Sequence, residues 1–303
     1  MCTAVNLIGN HHFFGRNLDL DTDCGETVVS LSAGTILKLR NTADLKTLYS
    51  VIGTGITVEG FPLYFDAMNT AGLCGAALNF PNCAFYGKSS EKDITLCSFE
   101  VIPYVLSQCN STDEAIKTLS KMNITGDNFN DTYQTTPLHF IFADKHQTLI
   151  VEPLKDGLSA KRTITGVITN SPEYDIQLKN MELFPESSPK NSDKEAHILA
   201  SGTDTLPGAL TSEGRFIRAS YFVKNSLKGT ANEERSDLFN ILASVAVPKG
   251  SVITTGDKLH FTRYTVLYDT EDLMYIYMPY GSLYPQVVKL SSEAKQINIS
   301  TTD

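Results

Sequence analysis

Apolar residues in the first part of the chain come in short runs, broken by glycine, asparagine and aspartate. This is the pattern of strands and tight turns. CTAVNLI is followed by the dipeptide GN and then by HHFFGRNLD, which predicts a hairpin turning at Gly9 and Asn10. ETVVSLS and SVIGTGITVEG read as further strands. FPLYFDAMNTAGLCGAALNF reads as strand, turn and strand, with NTAG as the turn and Asn79 closing the second strand. The period then lengthens. Ser98 is placed to cap FEVIPYVLSQ, with Pro103 at a kink or in the first turn. STDEAIKTLSKM opens with a capping box, Ser111 to Glu114, and sets Ile116, Leu119 and Met122 on one helical face.

A second block of strands follows: PLHFIFADKHQTLIVEP as a hairpin turning near Lys145 and His146, and AKRTITGVITN as a strand ending at Asn170. EYDIQLKNMELF, GRFIRASYFVKNS and RSDLFNILASVAV read as helices. FTRYTVLYDT and LMYIYMP read as two strands joined through TED. The stretch from Ser187 to Pro207 is rich in serine, proline and glycine and reads as a long surface loop. Strands and helices alternate in blocks and not one by one. That argues against a parallel βαβ sheet and for an α+β fold of two mostly antiparallel sheets packed together with helices outside. The GTG at Gly53 to Gly55 lacks the third glycine of a dinucleotide fingerprint and is set aside.

Composition narrows the function classes. The 303 residues are 42% hydrophobic, enough for a sizeable core, and no apolar run approaches the roughly 20 residues that span a bilayer. The first residues lack a basic segment followed by an apolar stretch, so the expectation is a cytoplasmic protein with reduced cysteines and no membrane insertion. The six cysteines form no close C-x-x-C pair and no H-E-x-x-H occurs, so no metal and no cofactor is expected. A formal charge of −9 disfavours nucleic acid and anionic membranes as partners, while leaving room for a small anionic substrate met by local cations.

The candidate chemistry starts at Cys2. Methionine removal is general before a small residue and would leave Cys2 with both a thiol and a free α-amine, a nucleophile with its own base. A thiol titrates near ~8.5 and an α-amine near ~7.7–8.0, close enough for the amine to take the thiol proton around neutrality. Counting back from the turn puts Arg16, Asn17, Leu18 and Asp19 level with Cys2. A guanidinium there favours thiolate and a carboxylate there holds the amine; the bland alternative is an ordinary surface ion pair. Asn79 and Asn170, each at the end of a predicted strand, are candidate oxyanion donors or simple turn asparagines.

MCTAV with FFGRNLDLD, ITVEGFPLYFDAMNTAGLCGAALNFP, TPLHFIFAD, GVITNSPEYDIQL and LPGALTSEGRFIRAS together resemble the choloylglycine hydrolase family, in order, from Cys2 to about Leu290. That family comprises bile salt hydrolases and penicillin V acylases. The resemblance implies an N-terminal nucleophile hydrolase, a single domain over 1–303 built as an αββα sandwich, and a homotetramer. It implies Cys2 as nucleophile after loss of Met1, with Arg16, Asp19, Asn79, Asn170 and Arg215 at the family's catalytic positions. Asn79 is the residue that bile salt hydrolases carry there, where penicillin V acylases often have tyrosine. The expected reaction is therefore cleavage of the amide of glycine- or taurine-conjugated bile acids, with penicillin V or another N-acyl amide as the alternative. Leu18, Leu20, Phe61, Tyr64, Phe129 and Tyr133 are the candidates for the apolar substrate slot. A binding-only relative is the competing class; it would be free to lose some of the six polar residues, and all are present.

Overall fold

The computed structural model describes residues 1–88, 94–190 and 199–290. Two seven-stranded antiparallel sheets stack face to face. In the first, the order is Val167–Ile168, Cys2–Ile8, His12–Leu20, Leu259–Asp269, Met274–Pro279 and Gln286–Lys289, with Val252–Ile253 attached to Leu259–Asp269. In the second, Gly157–Arg162, Thr148–Leu154, Leu138–Ala143, Cys74–Asn79, Phe61–Asn69, Val51–Val58 and Thr27–Leu31 follow in that order. Helices α1 (Val101–Gln108) and α2 (Thr112–Leu119) cover the second sheet. Helices α4 (Ser212–Asn225) and α5 (Ala231–Ser244) cover the first, and α3 (Tyr174–Leu183) packs on α4. The result is the αββα sandwich.

The two-residue period of the strands sorts the core. Ile141 and Ala143 point between the sheets, whereas Phe140 and Phe142 point to the side of α1. The Cys2–Ile8 strand is paired on both sides, with Val167–Ile168 and His12–Leu20, so the N-terminus is held in the middle of a sheet. The glycines set aside above have a local cause. A Cβ at Gly53 would lie 2.0 Å from the Asp66 carbonyl oxygen and one at Gly55 2.3 Å from that of Leu63, beside a register shift between Thr54 and Gly55.

Five expectations change. The first turn takes three residues, Gly9 to His11, because Ile8 pairs with His12. AKRTITGVITN is two strands in two different sheets: Gly157–Arg162 pairs with Thr148–Leu154, whereas Val167–Ile168 pairs with Cys2–Ile8. The chain crosses the sandwich in between, at a positive-φ Gly166. Met122 leaves the α2 face and opens the strand Met122–Thr125, because α2 ends at Leu119. Ser98 is not a cap: it lies inside a 3-10 turn, Ser98–Glu100, and the Glu100 carboxylate accepts from the Cys97 amide at 2.7 Å. In the capping box of α2, Ser111 accepts from the Glu114 amide at 3.4 Å, but Glu114 reaches back to the amide of Asn110. Pro103 sits in the first turn of α1. Of the loop expected from Ser187 to Pro207, residues 191–198 lie outside the described residues.

Candidate functional site

The hairpin register sets the geometry. Cys2 pairs with Leu18 and Ala4 with Arg16, so these four side chains share the face that meets the second sheet. Thr3, Asn17 and Asp19 alternate with them and face α4 and α5, where Thr3 meets Arg215 of α4 and Asn17 donates to the Leu242 carbonyl of α5. Cys2 thus has a thiol side and a backbone side, and different residues serve each.

On the backbone side, Asn170 and Arg215 converge from remote parts of the chain. The Cys2 amide donates to Asn170 Oδ1 at 2.7 Å. Arg215 donates from Nη1 to the Cys2 carbonyl at 2.5 Å and to Thr3 Oγ1 at 2.6 Å, and from Nη2 to Asn170 Oδ1 at 2.8 Å. Two donors meeting one end of the Asn170 amide fix that end as oxygen. Its nitrogen then donates to the Asn79 carbonyl at 2.7 Å. Asn170 and Asn79 are therefore not equivalent donors: Asn170 is tied into the frame around the Cys2 backbone. Asp19 is fully enclosed. Its Oδ1 accepts from Thr262 at 2.6 Å, its Oδ2 has no hydrogen-bond partner among the described residues, and Arg215 Nη1 is 3.9 Å away. Burial lowers the Arg215 pKa, against the pull of Asp19 and Cys2. Met1 extends past this frame: its ammonium donates to the Asp19 carbonyl at 2.8 Å and lies 2.5 Å from His260 Nε2. Burial lowers the pKa of that amine.

On the thiol side lies a cavity of about 490 Å³ between the sheets and the loops beside them. Cys2, Arg16 and Asn79 lie at it. Of the six expected slot residues, Leu18, Leu20, Tyr64, Phe129 and Tyr133 line it. Phe61 does not; it packs against the rings of Phe99 and Phe129 at 5.8 and 5.9 Å. The sequence reading missed Leu63, Phe65 and Phe99 on this wall. Leu63 and Phe65 flank Tyr64 in the strand Phe61–Asn69, where a register shift against Thr54 and Gly55 brings three consecutive residues to the cavity, so strand alternation alone could not have found them. Arg16 is fully buried and donates from Nη1 to the carbonyls of Phe65 and Ala77 at 2.6 and 3.1 Å. Burial opposes its charge, but Cys2, Tyr264 and Asp66 outweigh that and hold its pKa above the ordinary value. The Asn79 side chain makes no hydrogen bond among the described residues, and its Oδ1 is buried without a partner.

A thiol, a cation beside it, an uncommitted amide and an apolar chamber together suit attack on an acyl carbon. Residues 2–301 match the linear amide C–N hydrolases of the choloylglycine hydrolase family. The chain belongs to that family. The chain is 35% identical over 302 residues to a bile salt hydrolase/transferase of Lactiplantibacillus plantarum, covering 97% of this chain and 93% of the relative. It superposes with a TM-score of 0.89 and 25% identity on the C2A mutant of the conjugated bile acid hydrolase from Clostridium perfringens, covering 100% of this chain and 97% of that one. On the penicillin V acylase of Agrobacterium tumefaciens the TM-score is 0.75 at 24% identity, covering 94% and 84%, a likeness of fold. The family's sandwich is the architecture that places Cys2 of this hydrolase in a strand paired on both sides and on the lining of the cavity.

Proposed function

We propose that this hydrolase cleaves the amide of glycine- or taurine-conjugated bile acids, with Cys2 as nucleophile once Met1 is removed. The observation that carries the reading is the mainly apolar chamber of about 490 Å³ that has Cys2, Arg16 and Asn79 on its lining. A cavity of that size lies within the ~300–1,000 Å³ usual for small-molecule sites, and an apolar steroid gains most from such a lining. The relatives named for bile salt and conjugated bile acid hydrolysis support the same substrate class.

In this mechanism the freed α-amine takes the thiol proton. Asp19 Oδ2, buried without a hydrogen-bond partner, receives a hydrogen bond from the resulting ammonium. Arg16 favours the thiolate. The sulfur attacks the amide carbon, a C–S bond forms, and the carbonyl electron pair moves to oxygen, where the Asn79 amide donates. The pair returns, the C–N bond breaks, and the leaving amine takes the proton from the ammonium. Water then attacks the thioester, its proton passing to the α-amine, and the acid leaves with the thiol restored. Asn170 and Arg215 hold the Cys2 backbone throughout.

Competition kinetics test the substrate. Released amine or acid is measured with glycocholate, taurocholate and penicillin V. The expected result is a kcat/KM for both conjugates above that for penicillin V. Equal or higher kcat/KM for penicillin V promotes the acylase reading and leaves the cysteine mechanism in place.

A further inference from the structure

Beside Arg16, a buried carboxylate links the two sheets. Asp66 is fully enclosed on the strand Phe61–Asn69 of the second sheet. Its Oδ1 accepts a hydrogen bond from the Tyr268 hydroxyl, and its Oδ2 accepts one from Tyr264 at 2.5 Å and from Arg16 Nη1 at 3.5 Å. Burial raises both phenols well above their ordinary pKa, so both remain donors. Tyr275, the neighbouring phenol, pairs instead with Thr54 at 3.0 Å.

The distribution of partners on the guanidinium is uneven. Nη1 has three acceptors: Asp66 and the carbonyls of Phe65 and Ala77. Nε and Nη2 are buried with no hydrogen-bond partner among the described residues, and Cys2 lies on the same face of the hairpin, with both residues on the cavity lining. A guanidinium is a rigid plane, so anchoring one nitrogen sets the direction of the other two. Its two uncommitted nitrogens are the donors left for the thiol and the substrate.

We infer that Asp66, itself held by the hydroxyls of Tyr264 and Tyr268, is a positioning residue that fixes the Arg16 guanidinium for its action on the Cys2 thiol. The inference rests on the reading of Cys2 as the nucleophile. Arg16 shares the hairpin face and the cavity lining with Cys2, and a cation beside a thiol favours thiolate, the form that reacts with electrophiles. Asp66 is not among the residues that line the cavity, and its side-chain partners among the described residues are Arg16, Tyr264 and Tyr268, so its effect runs through Arg16. The alternative is that the cluster only joins the two sheets.

A double-mutant cycle separates the two. The readout is the rate of Cys2 alkylation by iodoacetamide at neutral pH, followed by mass spectrometry of the N-terminal peptide, so no hydrolysis is needed. The proteins are the mature wild type, Asp66→Asn, Arg16→Met and the double variant. Asp66→Asn is expected to slow alkylation by ~5–10-fold in the wild-type background and by less than ~1.5-fold in the Arg16→Met background, since contacting residues are non-additive. Equal slowing in both backgrounds overturns the inference. So does a wild-type alkylation rate accompanied only by a lower melting temperature. Where Asp66→Asn does not fold, Tyr268→Phe, which keeps the carboxylate and removes one hydroxyl, enters the same cycle with the same non-additivity expected. Additive slowing there overturns it as well. Failure of the nucleophile reading shows separately, as conjugate hydrolysis surviving in Cys2→Ala.

Discussion

Replacing Asn79 by alanine should separate activity from stability. In the free protein the Asn79 side chain makes no hydrogen bond among the described residues, and its Oδ1 is buried unpartnered. An unsatisfied buried acceptor costs on the order of 1–3 kcal/mol. Alanine removes that cost, offset by the packing lost with the amide. Asn79 is also the last residue of the strand Cys74–Asn79, a position where asparagine gives no strand preference. The variant is therefore expected to unfold with a free energy between unchanged and ~1 kcal/mol higher, where an average substitution loses ~1 kcal/mol. Its amide is also the proposed donor to the oxyanion, and loss of such a donor costs ~3–4 kcal/mol, or ~10²–10³-fold in kcat. Denaturant melts and steady-state kinetics on glycocholate measure the two sides. The expected signature is a kcat and kcat/KM that fall together while KM stays near the wild-type value. A kcat within threefold of wild type, or a protein destabilised by more than ~2 kcal/mol as for a lost buried contact, would refute the assignment.

Asn170→Ala should behave in the opposite way, losing stability as well as kcat. It strips partners from the Cys2 amide, Arg215 and the Asn79 carbonyl, and a melt within ~1 kcal/mol of wild type would contradict the frame described for it. Cys2→Ala should keep the fold and bind substrate while abolishing turnover, and intact-mass spectrometry of the active wild type should show one methionine lost; full activity with Met1 retained would rule out the terminal amine as base. His12 gives a pH prediction. Burial, with smaller opposing pulls from Asp144 on one side and His146 and Lys145 on the other, lowers its pKa to about 4. Against an ordinary value near ~6.5, the unfolded chain holds a proton between those pH values that the folded chain does not. The contribution of ~3 kcal/mol is present above ~pH 6.5 and is lost as pH falls toward 4. Urea melts at pH 7 and 4.5 should show a smaller pH difference for His12→Gln than for wild type; equal differences would remove His12 as a cause.

Local order was legible because each strand carries its own signal. Counting from a turn at Gly9 and Asn10 brings Arg16, Asn17, Leu18 and Asp19 level with Cys2 as a group; the exact register belongs to the structure, where the turn takes three residues, Gly9 to His11, and Cys2 pairs with Leu18. Which of them share the thiol face follows only from that register: a two-residue turn would pair Cys2 with Asn17 and set Arg16 on the helix face beside Thr3. The motifs spread over the chain made the family visible before any contact was known. The long-range pairings were not legible. Asn170 and Arg215 meet Cys2 across 168 and 213 positions of sequence, and nothing in their neighbours encodes that distance. Which end of the Asn170 amide faces Cys2 follows from two donors converging on it, which only folding creates. The run AKRTITGVITN carries one continuous strand signal, yet its halves join different sheets, because each half pairs wherever a strand edge is open and not where its own pattern points. The sequence determined which residues could do the chemistry. Packing the two sheets decided which of them stand at the cavity, which hold the Cys2 backbone, and which, like Asp66, anchor Arg16, because those relations exist only between strands brought together.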